Sequence, residues 1–132
     1  MNNLTATYEK WFSGKYDEIK LEVEELKKLE HFILEMSKDS QGVLWIENED
    51  YFLDINVGEG LFSMSILFKG SEKSYRLVNP HVPIKDTLGY VIGGQLVTDF
   101  PARFIIDHKE AIKHALLFWT NPDNILDQGN WE

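Results

Sequence analysis

At 132 residues, with 43% apolar and 13% aromatic side chains, the chain has material for one self-sufficient core and too much for a disordered segment. It has no cysteine, which excludes a disulfide framework, a thiol nucleophile and a thiolate-held metal. Its 22 acidic residues against 13 basic ones leave a net charge of −9, which opposes direct contact with a phosphate backbone.

The start, Met1-Asn2-Asn3-Leu4-Thr5, has neither the basic residues nor the apolar block of a secretory leader. No apolar run nears the ~20 residues needed to span a membrane, so a cytoplasmic location is expected. Residues 4–12 alternate loosely and predict a strand, with a turn at Ser13-Gly14-Lys15. Residues 22–38 predict a helix, because Val23, Leu26, Leu29, Ile33 and Met36 recur at three- and four-residue steps, with Phe32 beside them. Glu22, Glu24 and Glu25 crowd its first turn and Lys38 sits in its last, as the helix dipole favours. Gln41-Gly42 closes it.

A β meander follows. Residues 43–46 predict a strand and Glu47-Asn48-Glu49-Asp50 a polar turn. Residues 51–57 predict a second strand, with Leu53, Ile55 and Val57 toward the core and Phe52, Asp54 and Asn56 away from it. Gly58-Glu59-Gly60 reads as a hairpin turn, residues 61–68 as a strand, Lys69-Gly70-Ser71-Glu72-Lys73 as a turn and residues 74–78 as a strand. Pro80 and Pro83 break the ladder. Residues 88–92 and 95–98 predict short strands around Gly93-Gly94, and residues 104–106 a last one. Asp107 starts the final helix, with Glu110 completing a capping box. Ile112, Ala115, Leu116 and Trp119 line its apolar face, Ala111 and Phe118 lie at the margins, and Pro122 stops it. The expected fold is a single α+β domain over residues 1–132. An antiparallel β-sheet meander carries an N-terminal-half helix and a C-terminal helix on one face.

Reactive constellations are hard to find. His31, His81, His108 and His114 include no pair four apart, and they read as surface or capping histidines. Ser63 and Ser65 have the spacing of a strand's polar face, and no Gly-x-Ser-x-Gly surrounds them. Gly58-Glu59-Gly60 has no Lys-Ser/Thr or helix after it, so it is no phosphate loop. Asp54 and Asp99 sit on strands and must face water or a partner. No catalytic residue, cofactor site or metal ligand set is expected, and the chain does not read as an enzyme.

What remains is an acidic, aromatic-rich surface. Glu47, Glu49, Asp50 and Tyr51 form one tip, Glu59 lies on the next hairpin, and Tyr90, Asp99 and Phe100 lie in the C-terminal β region. Tyrosine offers large contact area at low entropic cost, so these residues are the candidate partner-binding set. The four tryptophans, Trp11, Trp45, Trp119 and Trp131, read as core. The acidity has two accounts: attraction of a basic protein, or solubility alone.

The order of the last forty residues also resembles a known family. It runs Gly94, Gln95, Thr98, Phe100 and Pro101, then a short apolar strand, then a helix with Ala111, Ala115 and Phe118, then Trp131 and Glu132. This is similar to the first-numbered immunity family of bacterial polymorphic toxin systems, over roughly residues 88–132. The resemblance implies a protein that binds a cognate toxin domain, often a nucleic-acid deaminase or nuclease, and blocks its active site without chemistry of its own. It implies no cofactor, no direct nucleic-acid binding and no membrane partner. Two rival readings stand beside it. One is a small-molecule-binding or regulatory α+β domain with a pocket between helices and sheet. The other pairs with itself through an open sheet edge, so the free protein is expected as a monomer or weak homodimer.

Overall fold

A computed structural model describes residues 4–12, 15–21, 26–39, 41–92 and 95–132. Six strands form one antiparallel sheet: β1 (Thr5–Phe12), β2 (Lys15–Leu21), β3 (Gln41–Glu47), β4 (Tyr51–Gly58), β5 (Leu61–Phe68) and β6 (Ser74–Arg76). Their spatial order is β2-β1-β3-β4-β5-β6. Helix α1 (Leu26–Met36) carries the chain from β2 over β1 to β3, because β2 and β3 flank β1 and run parallel to each other. A separate pair, β7 (Thr87–Ile92) and β8 (Gln95–Pro101), forms its own small sheet. Helix α2 (His108–Thr120) and a 3₁₀ segment at Pro122–Gln128 complete the chain. The α+β architecture is the expected one.

Alternation decides the layers. Leu53, Ile55 and Val57 are fully buried, and their register partners on β3 and β5 include Leu44, Ile46, Phe62, Met64 and Ile66. Leu29, Ile33 and Met36 of α1 and Ala111, Ala115 and Phe118 of α2 join them in one apolar core. Both helices therefore cover one sheet face. The β7–β8 hairpin covers part of the other. Asn56 Nδ2 donates to the Tyr90 hydroxyl (2.8 Å) and to the Val91 carbonyl (3.0 Å). At Gly58 a Cβ would collide with the Val91 carbonyl, so only glycine lets the hairpin settle this closely.

Several sequence expectations are corrected. β2 was not foreseen: Lys-Tyr-Asp-Glu-Ile-Lys-Leu is too charged for an apolar alternation, yet charge is normal on an edge strand. Its first residue, Lys15, was expected in a turn whose other members, Ser13 and Gly14, lie outside the described residues, as do Glu22, Val23, Glu24 and Glu25. Helix α1 ends at Met36, so Lys38 sits beyond it, where its Nζ reaches Glu35 at 3.3 Å. Gln41-Gly42 opens β3 instead of ending the helix, and Glu47 closes that strand instead of starting the turn. Residues 104–106 form no strand: Ala102–Phe104 is a 3₁₀ turn and Ile106 makes one bridge to Phe62. β6 ends at Arg76, and its outer edge is paired by the chain's last residues, with Arg76 N–H donating to the Glu132 carbonyl (2.7 Å) and Val78 N–H to Asn130 (2.7 Å). On α2 the buried stripe is Ala111, Ala115 and Phe118 with Ile112, so the supposed margins are the centre, while Leu116 and Trp119 are half-buried. Trp45 and Trp131 are likewise half-buried; the Trp11 side chain lies outside the described set.

Candidate partner-docking surface

The β3–β4 turn is built by Asn48. Its Oδ1 accepts from Asp50 N–H (2.8 Å) and Tyr51 N–H (2.7 Å), and its own N–H donates to the Tyr51 carbonyl (3.1 Å). This side-chain-capped turn throws Glu49 and Asp50 into solvent. Glu47, one residue before the turn, is engaged differently. Lys69 Nζ donates to Glu47 Oε2 (2.6 Å) and to the Asn48 carbonyl (2.7 Å), so the β5–β6 turn neutralises part of the tip.

Tyr51 points to the helix side. Its ring packs edge-on against Phe68 (5.2 Å) and near Phe118 (6.4 Å). Its hydroxyl donates to Asp123 Oδ1 at 2.9 Å. That bond to a carboxylate, with some desolvation and the nearby charges of Asp123 and Asp50, raises the Tyr51 pKa. Asp123 thus joins Glu49 and Asp50 at this end of the molecule, a member that sequence reasoning missed because it lies far along the chain.

The remaining candidates do not join this tip. Glu59 is exposed, with φ of 52°, in the β4–β5 turn at the other end of β4. An eight-residue strand separates the two turns by roughly 25 Å. Tyr90 and Phe100 are corrected from surface to interior, at 1% and 4% exposure. Tyr90 donates to the Leu61 carbonyl (2.9 Å), and its burial raises its pKa. Phe100 packs on Tyr90 at 4.8 Å, with the Arg76 guanidinium 5.5 Å from its ring. Both residues fasten the hairpin to the sheet and cannot meet a partner in this conformation. Asp99, next to Phe100, is exposed.

A second site lies between the start of α2, the 79–81 loop and residues 128–130. It is a cavity of about 410 Å³ lined by His81, Asp107, Glu110, Lys113 and His114, among others. His114 was expected at the surface and is instead 2% exposed. Its Nε2 lies 3.3 Å from Glu110 Oε2, and its ring stands edge-on to Trp131 at 5.9 Å. Burial lowers its pKa, opposed by the Glu110 charge. The Glu110 carboxylate is turned to His114, so only one half of the expected capping box forms, in which Asp107 Oδ1 accepts from Glu110 N–H (2.8 Å). Among the described residues, those lining this cavity include no Ser, Thr or Tyr. Among the described residues, no three His, Asp or Glu side chains converge as a metal site, and no helix is long and apolar enough to cross a membrane.

The chain matches no family model, no curated protein and no solved structure.

Proposed function

We propose that this chain is an immunity protein that binds a basic, cognate toxin domain and neutralises it by covering its active site. The observation that carries the reading is the exposed acidic tip of Glu49 and Asp50, fixed by the Asn48 turn on the end of a sheet in a chain of net charge −9. Opposite fields speed the encounter of such a surface with a nucleic-acid-targeting enzyme, whose substrate cleft is basic. The resemblance of roughly residues 88–132 to the first-numbered immunity family supplies the toxin as the partner's identity. The protein acts by occlusion, needs no cofactor, and works where the toxin would do harm, in the cytoplasm.

The test is co-expression with the toxin domain encoded next to its gene. Protection of the host and a stable co-purifying complex are expected. Full toxicity with no complex would end this reading. A second reading has one observation in its favour, the cavity of about 410 Å³ beside His114. A small-molecule-binding domain would show a melting shift with a metabolite set, lost in His114→Gln.

A further inference from the structure

The cavity at the start of α2 has walls of both charges. Asp107, Glu110 and Lys113 line it along the helix, and His81 lines it from the 79–81 loop. Leu77 and Ile106 are buried and give it apolar surface. Glu110 and Lys113 stand one helical turn apart, yet they do not pair. Glu110 is turned to His114, 3.3 Å away, and Lys113 has no ion pair among the described residues. A full negative charge and a full positive charge are thus offered side by side to one space.

His114 supplies a third element. It lines the same cavity, and its Nδ1 is buried without a hydrogen-bond partner among the described residues. Its Nε2 faces the Glu110 carboxylate, which only accepts, so the neutral ring keeps its proton on Nε2. Nδ1 is left as a bare acceptor. Burial keeps the ring neutral, against the pull of Glu110 and with the push of Lys113. A buried acceptor without a donor costs stability, and a donor brought to it recovers that cost. A Cβ on Gly129 would lie 2.6 Å from His114 Cε1, the carbon between the two ring nitrogens. The stretch from Gln128 to Asn130 therefore forms a lip against the ring, and a small outward shift of it opens Nδ1 to the cavity.

We propose that this cavity binds a free α-amino acid with an apolar side chain. Its ammonium meets the Glu110 carboxylate and His114 Nδ1, its carboxylate meets the Lys113 ammonium, and its side chain lies against Leu77 and Ile106. An ammonium has three donors, enough for both acceptors. An anion alone would face Asp107 and Glu110, and a cation alone would face Lys113, so a ligand of both signs suits the lining better than either. About 410 Å³ is room for a molecule of this size. The inference goes beyond the toxin reading. It rests on the cavity reading and narrows that to one ligand class.

Two measurements test it. Protein labelled at its histidine ring nitrogens is titrated with leucine, valine and methionine, and the His114 signals are assigned through His114→Gln. Isopentylamine and isocaproate, which are leucine without its carboxylate and without its ammonium, serve as half-ligands. In the free protein Nδ1 should resonate as an unprotonated nitrogen. A saturable movement of that signal with at least one amino acid is expected, with each half-ligand about tenfold weaker or more. A protonated Nδ1 at the start, an unmoved signal such as a trapped water would leave, or a half-ligand that binds as tightly would each overturn the proposal. In the second measurement Lys113, which is exposed, is changed to glutamine. Lys113→Gln should melt like wild type without ligand and lose about tenfold or more in affinity for the amino acid. Unchanged affinity would remove the carboxylate contact and the proposal with it. A melting shift with another class of metabolite, with His114 unmoved by the amino acids, would sink this inference and keep the cavity reading.

Discussion

The hydroxyl of Tyr51 donates to the carboxylate of Asp123 across 72 residues of sequence, tying the acidic β3–β4 tip to the 3₁₀ segment after α2. Tyr51→Phe removes this bond and keeps the ring against Phe68 and Phe118. The loss in stability should be about 0.5–1 kcal/mol, because the bond is exposed. Tyr51→Ala should cost more, since the aromatic contacts go too. Denaturant melts of the two variants separate the contributions, and equal losses would mean the ring contributes nothing.

Asp107 caps α2 through the Glu110 N–H, so Asp107→Ala should cost about 0.5–2 kcal/mol. Glu110→Ala should behave differently. Its carboxylate serves His114, and its removal should lower the His114 pKa further. Thermal melts for the first, and a proton-NMR titration of His114 for the second, check this pair.

His114 gives the fold a pH dependence of known sign. Its folded-state pKa lies below 6.5, because burial penalises the imidazolium. Below pH 6.5 the unfolded chain binds a proton that the folded chain resists, so the unfolded state gains. The stabilisation is complete above that value and is lost as pH falls toward the lowered folded pKa. The melting temperature should therefore drop between pH 7.5 and 5.5, and drop less in His114→Gln. A parallel pair of curves would show that His114 titrates alike in both states.

If a basic toxin domain is the partner, association should slow as salt rises, because exposed charges are screened beyond about 10 Å at 0.1 M. The geometry sorts the tip's contributions. Glu49 and Asp50 are exposed, while Glu47 is held by Lys69. Glu49→Gln with Asp50→Asn should lower the on-rate several-fold, and Glu47→Gln alone should do little. Stopped-flow kinetics at two salt concentrations decide it, and a salt-independent on-rate would make the tip an ordinary solvated turn.

The sheet's centre and α2 were legible in the sequence because their periodicities are clean. Leu53, Ile55 and Val57 alternate, the turns carry glycine, and Asp107 marks a helix start. What escaped reading is informative in physical terms. β2 is an edge strand, where one side needs no apolar partner, so its charges look like loop. Tyr90 and Phe100 read as surface in the sequence because a second layer over the sheet leaves no periodic trace; it depends on Gly58 admitting Val91, a contact between distant segments. His114 was hidden for a related reason, since its burial comes from Gly129 and Trp131 folding back beside it. The acidic tip was legible as a turn, but the split between Glu47 and its neighbours needed Lys69 from another hairpin.

The crossover of α1 over β1 also sets an order of assembly. β3, β4 and β5 join through two tight turns, whereas β1 must find β3 across the whole of α1, at the entropy cost of a long closed loop. The meander is thus the expected nucleus, and β1 with β2 adds afterwards. Ile55→Val, at the centre of β4, should then slow refolding. Tyr8→Phe, which loses the 2.6 Å bond from β1 to Asp39, should instead hasten unfolding. Newly made chain would meanwhile expose the β1-facing edge of β3, the row of backbone groups most open to wrong pairing before β1 arrives.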